Sequence, residues 1–172
     1  MRRGRLAAKS SNMAPRSTDY RGESSPSKLT VLSRSEVTKY RGDAPYVVIS
    51  IRSPGHSIPR LQTDPLRIAR MNLAMYDTTP EWEALSSDPV AAMPAEDAQR
   101  IARFVIRFWG HCDIVVHCKF GVSRSAGVVA GILDAFSSDA SAYERDPYEP
   151  NAHVRKMVRA ALARHVLGSK LG

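Results

Sequence analysis

The sequence predicts an α/β fold with a mainly parallel central sheet of about four to five strands flanked by helices. Short apolar runs bounded by turn residues alternate with longer segments whose apolar residues recur at helical spacing. Strands that alternate with helices are typical of a parallel sheet covered on both faces. Of the 172 residues, 43% are hydrophobic and 24% are charged. We therefore expect one domain, from residue 28 to residue 172, with a core of ordinary size.

Four strands are predicted from apolar runs that end in Gly, Pro, Asp or Ser residues. They cover residues 28–33, 46–51, 67–74 and 114–117. The third strand has Ile68, Met71 and Leu73 as its expected apolar positions. A short helix is predicted over residues 34–40, with Glu36 in its first turn.

Three longer helices are predicted from their apolar faces. The clearest covers residues 94–109, because Pro94 suits the first helical position and Gly110 ends the pattern. Another begins near residue 124, and the last covers residues 151–167, where the apolar residues form one stripe. The long segment after residue 77 and up to Met93 shows no clear periodicity, so we expect it to be irregular.

The N-terminal segment, residues 1–27, is rich in Ser, Arg, Pro and Gly and has no apolar periodicity. Such a composition predicts a disordered basic tail. An organelle transit peptide and a basic arm for an anionic partner remain open, and Met13 is an alternative start. Residues 1–28 carry +5 of the net charge of +8. The remainder lacks a basic stripe interleaved with aromatic residues, so we expect no nucleic-acid partner for the domain.

The sequence has no apolar run long enough to span a bilayer and no apolar core of a secretory signal. We expect a cytoplasmic protein that does not bind membranes and is a monomer. Its two cysteines, Cys112 and Cys118, flank one predicted strand, about six residues apart at about 3.3 Å each, which is too far for a disulfide. Cys112 is interpreted as structural.

The most informative stretch runs from residue 113 to residue 127 and reads D-I-V-V-H-C-K-F-G-V-S-R-S-A-G. A buried strand, a tight loop and a helix start follow one another here. Such a loop directs backbone N–H groups and the helix dipole toward one concavity, which favours a tetrahedral oxyanion. A thiol in that potential has a lowered pKa, so Cys118 is the candidate nucleophile. The guanidinium of Arg124 can bind two phosphate oxygens at once.

The string H-C-K-F-G-V-S-R-S resembles the signature H-C-x-x-G-x-S/T-R-S/T of the protein tyrosine phosphatase superfamily. Its S-R-S ending is most similar to the dual-specificity branch, and weaker similarities over residues 29–166 resemble small bacterial and phage-type phosphatases. The resemblance implies hydrolysis of a phosphomonoester through a cysteinyl-phosphate, with Ser125 hydrogen-bonded to the departing thiolate. It implies no metal and no cofactor. The implied phosphate-binding residues are Lys119, Phe120, Gly121, Val122, Ser123 and Arg124.

A general acid is also expected, because the leaving oxygen needs a proton. Asp77 is the first choice, since it follows directly after the third strand, although it lies farther before the cysteine than is usual in the family. Asp88 has the more usual separation, and Glu81 and Glu83 lie on the same segment. His117 is expected to brace Cys118 through a hydrogen bond.

The expected substrate is phosphotyrosine, phosphoserine or phosphothreonine on protein, or a small phosphomonoester. Lys119 offers an extra contact for polyanions, but Val122 adds no second charge inside the loop, which favours a single phosphate. Sulfur transfer and arsenate reduction also use a cysteine in an oxyanion loop, yet they need neither the Ser-Arg-Ser ending nor an acid. The alternative from another class is a non-catalytic phosphate-binding module of phosphatase fold.

Overall fold

The computed structural model describes residues 27–87 and 91–168. Its centre is a four-stranded sheet in which every strand pair is parallel, in the order β1-β4-β2-β3. The strands are β1 (Leu29–Leu32), β2 (Tyr46–Arg52), β3 (Arg67–Ala74) and β4 (Asp113–His117). The predicted α/β class with a parallel sheet is confirmed.

Strand β4 lies inside the sheet, between β1 and β2. Ile114 pairs with Leu29 on one side and with Val47 on the other. Because both faces and both edges of β4 are covered, the apolar run Ile114 to Val116 is fully buried. The loop that follows β4, residues 118–123, is the signature loop. It therefore leaves the sheet from its interior.

The helices cover the two faces unequally. They are α1 (Arg34–Val37), α2 (Pro80–Leu85), α3 (Ala95–Phe108), α4 (Arg124–Ala135) and α5 (Ala152–Gly168), with a 3₁₀ turn at Ser141–Tyr143. The larger core cluster joins α3, α4 and α5 to β2 and β4. The smaller cluster, on the other face, is built around Val37, Tyr46, Val48 and Val115. Thus α1 and the segment after β2 cover that face.

Three local predictions differ from the structure. Helix α1 ends at Val37 rather than at residue 40. The segment expected to be irregular contains α2, which Pro80 opens at the first helical position. Ile68 is 57% exposed; Tyr46 pairs with Arg67 and Val47 with Ala69, so Ile68 is the unpaired residue of a bulge in β3. Leu73 on the same strand is buried, as expected.

The chain before the sheet is described only from Ser27 onward. The hydroxyl of Ser27 accepts a hydrogen bond from the backbone N–H of Gly110 at 2.8 Å. Ser27 is thus tied to the domain, although the sequence placed it in the tail; the rest of that predicted tail lies outside the described residues. Over residues 27–87 and 91–168, no helix is both long enough and apolar enough to cross a membrane.

Candidate active site

The loop between β4 and α4 runs from Cys118 to Ser123 and turns at Gly121. This glycine has a φ of 74°, which an L side chain rarely adopts. A Cβ added there would lie 2.7 Å from the backbone nitrogen of Ser33. The backbone N–H of Arg34 also donates to the carbonyl of Lys119 at 3.2 Å. The loop is therefore pressed against the carboxyl end of β1.

Cys118 lies at the bottom of this loop, with 2% of its surface exposed. Its Sγ is 3.1 Å from Ser125 Oγ and accepts a hydrogen bond from the N–H of Gly121 at 3.3 Å. Burial by itself would raise the pKa of the thiol, but the hydrogen bonds from Ser125 and Gly121, together with the charge of Arg124, lower the pKa below its ordinary value. Relative to a cysteine in water, these contacts shift Cys118 toward the thiolate.

Arg124 is the first residue of α4, and its side chain is buried. One terminal nitrogen, Nη1, donates to the carbonyl of Met75 at 2.9 Å and to Ser53 Oγ at 3.1 Å. The Nε atom is buried and has no hydrogen-bond partner among the described residues. A buried charged donor without an acceptor is costly. An oxyanion bound in the loop would satisfy it.

Asp77 follows β3 and reaches the rim of the same loop. Its Oδ1 accepts hydrogen bonds from Ser123 Oγ at 2.7 Å and from Asn151 Nδ2 at 3.0 Å. Its Oδ2 lies 3.7 Å from the Nε of Arg124. The structure therefore brings Asp77, Arg124, Ser125 and Cys118 together, because the carboxyl ends of β3 and β4 meet at one edge of the parallel sheet.

The other acids considered from the sequence have different surroundings. Glu83 Oε2 accepts a hydrogen bond from the N–H of Ala92 at 2.9 Å, within its own segment. Glu81 is exposed, and its hydrogen bond with Thr79 lowers its pKa. Asp88 lies outside the described residues. Among the acids that are described, Asp77 is the one whose carboxylate accepts a hydrogen bond from a side chain of the loop between β4 and α4.

The side chains of the remaining loop residues point away from the thiol or to the rim. Lys119 Nζ lies 4.8 Å from the centre of the Phe120 ring, and Phe120 is 69% exposed. The carbonyl of Val122 accepts a hydrogen bond from the N–H of Glu149 at 3.1 Å. Any contact that Gly121 and Val122 make with a phosphate in the loop is therefore expected from their backbone N–H groups.

The ring of His117 pairs with a side chain of the neighbouring strand β2, and a hydrogen bond with the backbone of Cys118, the residue that it was expected to brace, acts to raise its pKa. Its Nε2 pairs with Ser50 Oγ, and Arg70 donates to the same hydroxyl at 2.8 Å. Burial is the main cause that lowers the pKa of His117 to about 4, and the charge of Arg70 adds to it. The imidazole is neutral, and its side-chain partner is Ser50 rather than the thiol.

Sequence reasoning missed Asn151, Ser53 and Ser50. Asn151 opens α5, where its Oδ1 accepts from the N–H of Val154 at 3.0 Å, and it also holds Asp77. The only sequence signal was its position at a helix start, where Asn is favoured. Ser53 and Ser50 gave no signal, since each meets its partner across about seventy residues of chain.

The described side chains that could ligate a metal ion are not gathered at this site. Over the parts of the chain that the structure describes, no group of three or more His, Cys, Asp or Glu side chains could hold a metal ion. The donors gathered at Cys118 and Arg124 are instead N–H and O–H groups around a concavity, which suit an oxyanion.

Comparisons with known proteins find only distant similarity. No protein-family model matches the chain, and no curated protein matches its sequence. Among solved structures, human DUSP28 aligns over 83% of this chain and 94% of its own, with 18% identity and a TM-score of 0.46. The human tyrosine phosphatase-like serine/threonine/tyrosine-interacting protein aligns over 72% of this chain and 80% of its own, with 19% identity and a TM-score of 0.43. Similarities this remote assign no activity to the chain.

Proposed function

We propose that this protein is a cysteine-dependent phosphatase that hydrolyses phosphomonoesters through a cysteinyl-phosphate intermediate. The observation that carries the proposal is the placement of two buried groups at the two ends of one loop. Cys118 has a lowered pKa, and Arg124 has a buried Nε without a hydrogen-bond partner among the described residues. A nucleophilic thiolate and a guanidinium with a donor left for a phosphate oxygen are what transfer of a phosphoryl group requires.

In the first step the Cys118 thiolate attacks phosphorus, and an S–P bond forms as the bond to the ester oxygen breaks. Arg124 and the loop N–H groups bind the three non-bridging oxygens, where charge accumulates. The electron pair of the broken bond stays on the leaving oxygen. Asp77, in its protonated form, supplies the proton that makes this oxygen a neutral alcohol or phenol.

In the second step water attacks the same phosphorus. Asp77, now a carboxylate, takes a proton from this water as the P–O bond forms and the S–P bond breaks. The products are inorganic phosphate and the restored Cys118 thiolate. Ser125 and Gly121 stabilise the thiolate through the two contacts to Sγ, so it is a better leaving group.

Several finer assignments belong to this proposal. The substrate is a phosphorylated tyrosine, serine or threonine of a protein, or a small phosphomonoester, and the enzyme acts as a cytoplasmic monomer without metal. Residues 28–172 form the catalytic domain. A phosphate-binding module without turnover would keep Cys118 and Arg124 and would not use Asp77 as an acid.

The replacement Cys118→Ser tests the nucleophile. Serine keeps the shape of the loop but does not supply a thiolate, so we expect hydrolysis of a small aryl phosphate to fall below detection while calorimetry still shows binding of the ester. A metal chelator should leave wild-type turnover unchanged.

The matched control is Cys112→Ser. Burial raises the pKa of the Cys112 thiol, and its Sγ contacts the carbonyl of Phe108 rather than the loop. Turnover should stay within about twofold of wild type, since substitutions away from a reacting group change rates little. Wild-type turnover by Cys118→Ser would contradict the proposal, and so would chelator inhibition that a divalent ion reverses.

A further inference from the structure

We propose that a basic cavity beside the signature loop binds a second phosphate group of the substrate, so that the preferred substrates carry two phosphates close together. The inference rests on the proposed function, because it names the substrate class of the same site. It departs from the sequence-based expectation of a single phosphate.

The cavity opens between the ends of β1 and β2 and the start of the signature loop. Its volume is about 250 Å³. This is below the roughly 300–1,000 Å³ that a drug-sized ligand occupies, so the cavity suits one compact group. Its lining includes Arg34, Arg52, Ser53, Ser57 and Lys119.

The charge of the lining has one sign. Arg34, Arg52 and Lys119 contribute three cations, and His56 adds an imidazole. No Asp or Glu among the described residues belongs to the lining. Because cations without neighbouring carboxylates raise the local positive potential, the cavity favours an anion with more than one charge.

The two arginines are held in place by neutral groups. Arg34 donates to the carbonyl of Ser57 at 2.9 Å and to its hydroxyl at 3.0 Å. Arg52 donates to the carbonyl of His56 at 2.9 Å. These contacts orient the guanidinium groups without cancelling their charge, and each guanidinium has five N–H donors in all. Both arginines are thus positioned to bind a phosphate.

The cavity shares part of its wall with the signature loop. Ser53 lines the cavity, and its hydroxyl accepts from Nη1 of Arg124 at 3.1 Å. Lys119 lines the cavity and is the next residue after Cys118, about 3.8 Å away along the backbone. A phosphate in the cavity would therefore lie beside the phosphate that Cys118 attacks, within reach of a compact molecule with two phosphates.

The test compares singly and doubly phosphorylated forms of the same substrate. One arm uses a peptide with one or two neighbouring phosphorylated residues, and the other uses an inositol phosphate with one or two neighbouring phosphates. We expect wild-type kcat/KM to be about tenfold higher for the doubly phosphorylated form, since a hydrogen bond to a charged group is worth roughly that factor. The arm that shows this preference identifies the source of the second phosphate.

Arg34→Gln and Arg52→Gln should each reduce the preference by about fivefold to tenfold, because each removes one cation from the cavity. Arg52→Lys should retain most of it. Arg60→Gln is the matched control, since Arg60 is exposed on the same segment and outside the lining. Urea unfolding of every variant identifies any that has lost its fold.

Equal kcat/KM for both forms in both arms would overturn the inference while leaving the phosphatase proposal intact. If Arg60→Gln reduces the preference for the doubly phosphorylated form as much as Arg34→Gln does, the inference is overturned as well. If no ester is hydrolysed, the proposed function fails. Calorimetry then compares the binding of the singly and doubly phosphorylated forms to Cys118→Ser, and this comparison tests whether the cavity binds a second phosphate. Tighter binding of the doubly phosphorylated form, weakened by Arg34→Gln, supports it; equal binding overturns it.

Discussion

The two oxygens of Asp77 have different surroundings, which suggests different tasks. Oδ1 accepts from Ser123 and Asn151, and these contacts fix the carboxyl group at the rim of the loop. Oδ2 forms an ion pair at 3.7 Å with the Nε of Arg124, which has no hydrogen-bond partner among the described residues. In the proposed mechanism a phosphate occupies Arg124, and Oδ2 is the oxygen that carries the transferred proton. The proposal thus assigns positioning to Oδ1 and proton transfer to Oδ2.

Replacing Asp77 with Asn should slow hydrolysis of phosphotyrosine by about 10²–10⁴-fold, because the amide keeps the contacts of Oδ1 but cannot supply a proton. The loss should be much smaller for an aryl ester whose leaving group is already a stable anion. Steady-state kinetics with the two substrates measure both effects.

The control for this prediction is Asp88→Asn, the other acid that the sequence left open. It should change the rate for either substrate little. If Asp88→Asn slows hydrolysis strongly and Asp77→Asn leaves the rate unchanged, Asp88 is the acid. If neither replacement matters for either ester, the non-catalytic phosphate-binding module becomes the better account.

At the scale of elements, the signature loop depends on a close approach to β1. Gly121 and Gly55 have nearly the same φ, 74° and 77°. A Cβ on Gly121 would meet the backbone of Leu32 and Ser33 at 2.7–3.0 Å, whereas a Cβ on Gly55 would meet nothing within 4 Å. The two positions therefore separate backbone strain from steric conflict.

Gly55→Ala should lower the free energy of unfolding by about 1–2 kcal/mol, the cost of a left-handed conformation for a residue with a Cβ. Gly121→Ala should carry that cost plus about 1–3 kcal/mol for the displaced backbone. Because the N–H of Gly121 contacts Cys118 Sγ, turnover should also fall in Gly121→Ala alone. Urea unfolding and kinetics on both variants measure this, and equal losses of stability would show that the close approach does not matter.

Element boundaries followed from local chemistry wherever a turn residue marks them. The third strand was predicted at the residues where β3 lies, the fourth strand begins one residue earlier than predicted, and the last helix begins and ends one residue later than predicted. The short helix α2 was missed, because six residues give too little periodicity to reveal a helix. Ile68 was misplaced because a bulge, which leaves it unpaired, cannot be recognised from the apolar run alone.

For the whole molecule, the parallel arrangement explains why distant residues meet. The carboxyl ends of β2, β3 and β4 meet at one edge, where Ser53, Met75 and Cys118 follow their strands. The sequence predicted this meeting for Asp77 and Cys118, because both come directly after predicted strands of a mainly parallel sheet. It did not predict that Arg34 and Arg52 line a cavity there, since their positions depend on side-chain contacts to Ser57 and His56.

The most direct measurement of the central claim is to trap the phosphorylated enzyme. Wild type and Asp77→Asn are mixed with an activated aryl phosphate, quenched in acid during turnover and digested for mass spectrometry. We predict a phosphoryl group on the peptide that contains Cys118, with more of it in Asp77→Asn because that variant lacks the base for the water step. Full-rate turnover with Cys118 unmodified, or a phosphoryl group on another residue, would contradict the account.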